Sequence, residues 1–199
     1  SSLGSFWWGF LGTYYFQYIT FVGTIEVVVH RCIWTSLMLL ITTTFFNKWY
    51  LLKKIIFDKK KLLILLITSI LIFGNWSIWI YAVATNRIID ASFGYFIFPI
   101  ISVFFGFLFF NEKLNKKRII SISLVIISTI YLFFNLNSFP WIGFSVAFLW
   151  SIYYLLRKKI NVDTDIGLFI ESLFIFPIAI VIFYFIFQNN MNDFSLSNP

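Results

Sequence analysis

Polar residues punctuate this sequence at a regular interval, and the stretches between them are almost wholly apolar. Seven such blocks stand out, at 3–21, 25–46, 62–84, 89–110, 119–134, 141–156 and 166–187. A helix needs about 20 mostly apolar residues to cross a hydrocarbon core roughly 30 Å thick, and each block comes near that length. None shows the alternation of apolar and polar residues that marks a barrel strand. Lipid offers no partner to a backbone amide, so a spanning segment must satisfy its own peptide groups, and a helix does so. The pattern predicts an all-α membrane protein with about seven transmembrane helices.

The basic residues give these spans a direction. Lys48, Lys53, Lys54, Lys59, Lys60 and Lys61 fall between the second and third blocks. Lys113, Lys116, Lys117 and Arg118 fall between the fourth and fifth, and Arg157, Lys158 and Lys159 follow the sixth. Thirteen of the fifteen Lys and Arg therefore occupy alternate connections, while those around Gly23, 135–139 and 188–199 carry none. Loops enriched in this way remain cytoplasmic, which predicts a cytoplasmic N-terminus and integration in the cytoplasmic (inner) membrane. The same distribution accounts for the net charge of +7, so a lipid bilayer is the expected partner and nucleic acid is not.

Composition agrees, with 60% hydrophobic and 12% charged residues and a mean hydropathy of +0.90. A soluble domain has about 45–50% and 25%. The 23% aromatic content includes Trp7, Trp8, Trp49, Tyr50 and Trp141 near block ends, where amphipathic rings favour the headgroup zone. Ser1 to Gly4 hold no positive residue and no small-residue cleavage signal follows, so the first block reads as a span and not as a signal peptide. A start without methionine suggests a piece of a longer chain.

Chemistry is sparse. The one cysteine, Cys32, and the one histidine, His30, leave no intrachain disulfide, cysteine metal cluster or ordinary His-based triad to build. No metal and no cofactor are expected, and the chain does not read as an enzyme. What remains is a set of polar residues inside apolar blocks, where each charge costs about 2.5–3.5 kcal/mol on insertion scales. Glu26 and His30 share a helix face four residues apart, with Arg31 adjacent. They are either an ion pair near the outer interface or a titrating pair lining a cavity. Asn75, followed by Trp79 one turn on, either joins helices or contacts a ligand. Asp90 or Ser92 is expected to cap the fourth span, with Arg87 as the ion partner of Asp90. Pro99 and Pro177 each remove a helical bond and mark kinks or gating points. Glu171 stands inside the last block with no basic residue close in sequence.

Two parts of the chain echo each other. Phe6-Trp7-Trp8-Gly9 is matched by Phe148-Leu149-Trp150-Ser151, and Ile25-Glu26 by Ile170-Glu171 at nearly the same distance downstream. The small residues Ser5, Gly9 and Thr13 correspond to Gly143, Ala147 and Ser151, a spacing that lets helices approach closely. A repeat of five spans follows, and an odd-numbered repeat must insert in opposite orientations. Residues 1–134 would form one repeat and 135–199 the first two helices of another. Inverted repeats with a site at their interface characterise secondary transporters.

Several stretches resemble the drug/metabolite transporter superfamily, in its EamA group and most closely the RarD-like branch. They are Ile25-Glu26 through His30-Arg31 with Ile33-Trp34, then Gly74-Asn75-Trp76, then Asp90 to Ile97 with Pro99, and Glu112. Tyr153-Tyr154 with Arg157 to Ile160, and Gly167 to Glu171 with Pro177, complete the series in family order. The resemblance implies a ten-helix fold of two inverted five-helix repeats, of which this chain lacks the last three helices. It also implies a central cavity and export of small metabolites or drugs. Departures are Gly12 where a proline is usual, Phe98 for a polar residue, and Asn111 and Ser128 for glycines.

The expected function is therefore a secondary transporter that moves a small-molecule solute by alternating access, with Glu26, His30, Asn75, Trp79, Tyr95 and Glu171 on the substrate or proton pathway. Arg87, Asp90, Pro99 and Pro177 are the expected gating or kink positions, and a homodimer is among the arrangements admitted. A seven-helix receptor is the alternative, but a retinal protein would need a lysine in its last span for a Schiff base, and the seventh block has none. A membrane enzyme would need clustered acid, base and nucleophile at one membrane face. No Walker motif is present to couple ATP.

Overall fold

The computed structural model describes residues 11–19, 21–136, 138–189 and 193–194. Among these residues it contains eight helices: α1 (Thr13–Tyr18), α2 (Thr24–Phe45), α3 (Trp49–Ile56), α4 (Lys59–Ala84), α5 (Ile88–Phe110), α6 (Lys116–Phe134), α7 (Trp141–Ile160) and α8 (Thr164–Gln188). Five of them, α2, α4, α5, α6 and α8, are long and apolar enough to cross a membrane. The 20-residue α7 has the length as well, but its last turn carries Arg157, Lys158 and Lys159. The chain is thus an integral membrane protein. Each expected block from the second to the seventh coincides with one helix, while the first is represented by α1 and its echo at Phe6 to Gly9 lies outside the described residues.

The helices end where the sequence supplies caps. Asp58 Oδ1 accepts from the Lys61 amide at 3.1 Å, and Asn115 Oδ1 from the Arg118 amide at 2.8 Å. Asp163 Oδ1 takes the amides of Asp165 and Ile166, which opens α8. Asn47, Asn86, Asn111 and Asn161 all adopt positive φ at helix–helix turns. Asparagine is the residue after glycine that best tolerates this left-handed conformation. Two of the four, Asn111 and Asn161, are the C-caps of α5 and α7.

One correction concerns α5. Its cap position is Arg87, with no side-chain cap bond, so neither Asp90 nor Ser92 caps it. Asp90 sits inside the first turn, where its carboxylate favours the positive helix end and accepts from Arg87 Nε at 2.9 Å. The expected ion pair is present; the expected cap is not.

Lipid tails are as apolar as leucine, so burial alone cannot drive one spanning helix onto another, and close packing has to supply the attraction. The tightest junction is between α5 and α7. A Cβ on Gly94 would come within 2.6 Å of the Gly143 carbonyl oxygen, and one on Gly143 would strike the Asp90 carbonyl. Ala147 and Ser151 continue this surface fully buried, as the small-residue spacing implied. The pairs α2 with α8 and α4 with α7 build the rest of the bundle, whereas α6 packs chiefly on α5 and buries only Thr129. Buried hydroxyls return bonds to their own helices, Ser36 to Cys32 and Ser172 to Phe169 among them, and so avoid orphaned donors.

The three basic connections meet at one end of the bundle. Lys48 Nζ bridges Asp163 at 3.6 Å and Asp165 at 3.0 Å, and Glu112 accepts from both Arg118 and Lys158. The short α3 lies at this end, packing Leu52 and Ile55 against Leu65, Ile160, Ile166 and Phe169. At the opposite end Gly23 donates to Asp193 Oδ2 at 3.1 Å, and Arg87 lies 5.6 Å from the Trp141 ring.

Candidate functional site

A cavity of about 860 Å³ opens between α2, α4, α5 and α7 and extends to the basic end of the bundle. That volume lies within the roughly 300–1,000 Å³ usual for small-molecule sites. Its deep part is formed by Arg31 from α2, Asn75, Trp76 and Trp79 from α4, and Tyr95 from α5. The Arg31 guanidinium lies 4.2 Å from the centre of the Trp76 ring, a cation–π arrangement that holds the cation in a membrane-embedded site. Asn75 Nδ2 donates to the Val146 carbonyl at 3.0 Å, joining α4 to α7, and the same residue lines the cavity. That bond is the helix-joining contact expected of Asn75, and its place on the lining leaves a ligand contact as a proposal.

The middle of the wall belongs to α7. Trp150 and Tyr153 stack with ring centres 5.3 Å apart and an interplanar angle of 11°, and Tyr154 stands edge-on to both. They lie on the lining with Ser151. Near the mouth, Arg118 and Lys158 pair with Glu112, and Arg157 shares the lining. The hydrogen bond from Lys158, reinforced by the nearby charges of Lys158 and Arg118, holds the Glu112 carboxyl below the ordinary glutamate range.

Directly behind this wall lies the most buried carboxylate among the described residues. Glu171 is fully enclosed, about two turns into α8. Its Oε1 accepts from Thr68 Oγ1 at 2.6 Å, its Oε2 accepts from Tyr153 Oη at 3.1 Å, and Arg157 Nε stands 3.7 Å from Oε1. Three helices, α4, α7 and α8, are thus tied through one side chain. The basic partner missing from its sequence neighbourhood comes from the facing helix. Arg157 reaches it by lying directly over Gly167, whose absent Cβ leaves the room, and Nη2 also donates to the Thr164 carbonyl at 3.1 Å.

Glu26 and His30 lie elsewhere. Glu26 is buried at the start of α2 and accepts from the amides of Asp193 (2.8 Å) and Phe194 (3.3 Å), with His30 Nε2 at 3.8 Å. It fastens the segment after α8 to α2. His30 packs edge-on against Phe183 and Phe194, and its Nε2 has no hydrogen-bond partner among the described residues. It lines a second hollow of about 1040 Å³ between α1 and α2, with Tyr14, Tyr18 and Trp34. Arg31 borders both hollows. The arrangement brings Asn75, Trp79 and Tyr95 together, places Glu171 one layer behind them, and sets the Glu26–His30 pair apart. Arg87 and Asp90 stand at the end remote from the mouth, and Pro99 and Pro177 lie inside α5 and α8, which continue through them.

Trp76, Trp150, Tyr153, Arg157 and Arg31 were absent from the expected set. Arg31 carried the clearest signal, because a charge two turns inside an apolar helix is costly without a function or partner. No group of three or more His, Cys, Asp or Glu able to hold a metal occurs among the described residues.

Comparison with known proteins places this geometry in context. The profile of the EamA-like transporter family matches residues 2–134. An uncharacterized transporter of Vibrio cholerae is 32% identical over 190 residues, covering 96% of this chain and 63% of that protein. The protein RarD of Escherichia coli is 31% identical over 194 residues, covering 98% of this chain and 65% of its own length. An uncharacterized transporter of Bacillus subtilis, YojE, is 32% identical over 176 residues, 87% of this chain and 59% of that protein. The chain thus spans less than two thirds of the length of these relatives. No solved structure matches.

Proposed function

The chain belongs to the EamA-like transporter family, and from that premise we propose that it forms the larger part of a secondary transporter exporting a small organic solute across the cytoplasmic membrane. The observation that carries this reading is the cavity of about 860 Å³, walled by spanning helices and reaching one end of the bundle. That end is the basic one, so the positive-inside rule makes it cytoplasmic and makes this an inward-facing arrangement. The names of the relatives favour transport over catalysis.

Alternating access then requires the mouth at Glu112, Arg118 and Lys158 to close while the end at Arg87, Asp90 and Trp141 opens. A ten-helix fold of two inverted repeats provides for this, and the packing of α2 on α8 supports it. Those helices carry the matched Ile-Glu pairs, at residues 25–26 and 170–171. Glu26, His30 and Glu171 are the groups proposed to couple solute movement to protons, because carboxylates and histidine in membrane interiors commonly serve as relays.

The test is flux in proteoliposomes containing the protein, with and without an imposed pH gradient, for Glu26→Gln, His30→Gln and Glu171→Gln. Loss of gradient-driven flux in at least one well-folded variant supports proton coupling. Unchanged pH-dependent flux in all three would exclude these groups, and absence of solute movement at any pH would exclude transport.

A further inference from the structure

We propose that α3 and the lysines around it form a binding surface for anionic phospholipid headgroups, in the leaflet at the basic end of the bundle. The surface is independent of transport and its test needs no flux, so either reading can fail alone. The chain places six lysines within residues 48–61, between α2 and α4. Two of them are accounted for: Lys48 is held by Asp163 and Asp165, and Lys61 stands 3.8 Å from Asp58. The remaining carboxylate at this end, Glu112, is shared by Arg118 and Lys158. Lys53, Lys54, Lys59 and Lys60 are exposed and have no acidic partner among the described residues. Four ammonium groups on one short connection thus lack a counter-charge from the protein.

Packing makes α3 a fixed platform. Leu52 and Ile55 turn inward onto Leu65, Ile160, Ile166 and Phe169, and the Trp49 ring meets Phe169 edge-on at 6.5 Å. The opposite face of the helix therefore presents Tyr50 flanked by Lys53 and Lys54, all three exposed. Apolar rings bracket these cations. Phe45 and Phe46 close α2, Phe57 follows α3, and they are 82%, 63% and 85% exposed. Such rings are unfavourable in water, but at a headgroup boundary they enter the acyl border while the ammonium groups stay level with the phosphates. A free anion would satisfy the charges and leave the rings bare; an anionic lipid covers both. Each lysine held at such a surface strengthens anionic-lipid binding about fivefold. Lys116 and Lys117, which open α6 at the same end, have no amphipathic helix beside them and serve as the internal comparison.

The test is native mass spectrometry of the protein from neutral detergent micelles, titrated with dioctanoyl phosphatidylglycerol, dioctanoyl phosphatidylcholine and inorganic phosphate. The first phosphatidylglycerol should bind about tenfold or more tightly than phosphatidylcholine, and an equal concentration of phosphate should not displace it. Lys53→Gln combined with Lys54→Gln should remove most of that preference, whereas Lys53→Arg combined with Lys54→Arg should keep it. Lys116→Gln combined with Lys117→Gln, the same loss of charge elsewhere at this end, should leave the preference within about twofold. Phe57→Ser should weaken both lipids while keeping their order. Equal affinity of the wild-type chain for the two lipids overturns the inference, and so does displacement by phosphate, which would make the surface a free-anion site. Both results need only the wild-type chain. A preference that survives neutralisation of Lys53 and Lys54, or falls as far with Lys116 and Lys117, also overturns it, since the attraction would then belong to the basic end as a whole.

Discussion

Glu171→Leu is expected to be among the most destabilising single changes in the bundle. The carboxylate is fully buried and holds Thr68, Tyr153 and Arg157 at 2.6, 3.1 and 3.7 Å. Removing it strands groups unequally. Thr68 keeps its bond to the Leu65 carbonyl at 3.1 Å, so it adds little. Tyr153 loses the acceptor of its hydroxyl, and an orphaned buried donor costs about 1–3 kcal/mol. Arg157 loses its counter-charge, and breaking a buried pair costs about 3–5 kcal/mol, with the low end appropriate here because Nη2 keeps the Thr164 carbonyl. The sum is about 4 kcal/mol or more. Glu171→Gln retains an acceptor and should lose about 1–3 kcal/mol. Arg157→Met strands the carboxylate instead and should cost about 3 kcal/mol. Combined with Glu171→Leu it removes both charges, so the double variant should be about 2 kcal/mol less destabilised than the two single changes added together. The assay is SDS-driven unfolding in mixed micelles, followed by far-ultraviolet circular dichroism. A Glu171→Leu protein within about 0.5 kcal/mol of wild type, or an additive cycle, would refute the account of this cluster as one coupled unit.

Gly143→Ala should destabilise by about 1–3 kcal/mol, because the new methyl meets backbone atoms of Asp90 and Gly94 that cannot rotate away. Gly74→Ala meets only Leu149 Cδ1 at 3.7 Å and should be neutral or slightly stabilising, so equal unfolding midpoints for the two variants would contradict the close α5–α7 packing. Glu112 has a folded-state pKa below its ordinary value near 4.5, so its contribution to stability is present above that value and is lost as pH falls through the lowered pKa. Unfolding midpoints measured down this range should fall for wild type and flatten for Glu112→Gln; identical acid limbs would speak against the cross-loop bridge. Lys48 has the opposite sign: its hydrogen bond to Asp165 raises its pKa above 10.5, so its contribution is present below that value and fades as pH rises through the raised one. In intact cells an impermeant maleimide should label Ser138→Cys but label Lys60→Cys only after permeabilisation, since Cys32 is buried; the reverse pattern would invert the proposed orientation.

Much of the architecture could be read from the chain because lipid leaves few alternatives to an apolar stretch of spanning length, and six blocks became helices. The shared end of the basic loops was legible for the same reason, and the bridges from Lys48 to Asp165 and from Lys158 to Glu112 now account for part of the clustering. Asn111 is a telling departure from a glycine-bearing pattern, because the position has φ 50° and asparagine is the natural substitute there. The helix α3 was missed because Trp49–Ile56 holds two lysines in eight residues and reads as loop by charge count, although Leu52 and Ile55 are spaced to share a face. Glu171 raised suspicion for lack of a neighbour, yet its partner could have been found from hairpin symmetry. The helices α7 and α8 are antiparallel across a turn centred near residue 162, so residues equidistant from that centre face one another. Arg157 is then opposite Gly167, and Tyr153 is opposite Glu171, the two contacts observed. Pairings between distant helices, such as Thr68 with Glu171 or Arg31 with Trp76, have no such rule, because they depend on how the bundle closes. That difference bears on the two matched carboxylates. Glu26 spends its lone pairs on backbone amides of a terminal segment, whereas Glu171 spends its own on side chains of two other helices. Protonating Glu171 would loosen α4, α7 and α8 together, while protonating Glu26 would release only the segment at residues 193–194. Of the two, Glu171 is therefore the carboxylate whose charge state can be felt by the cavity wall.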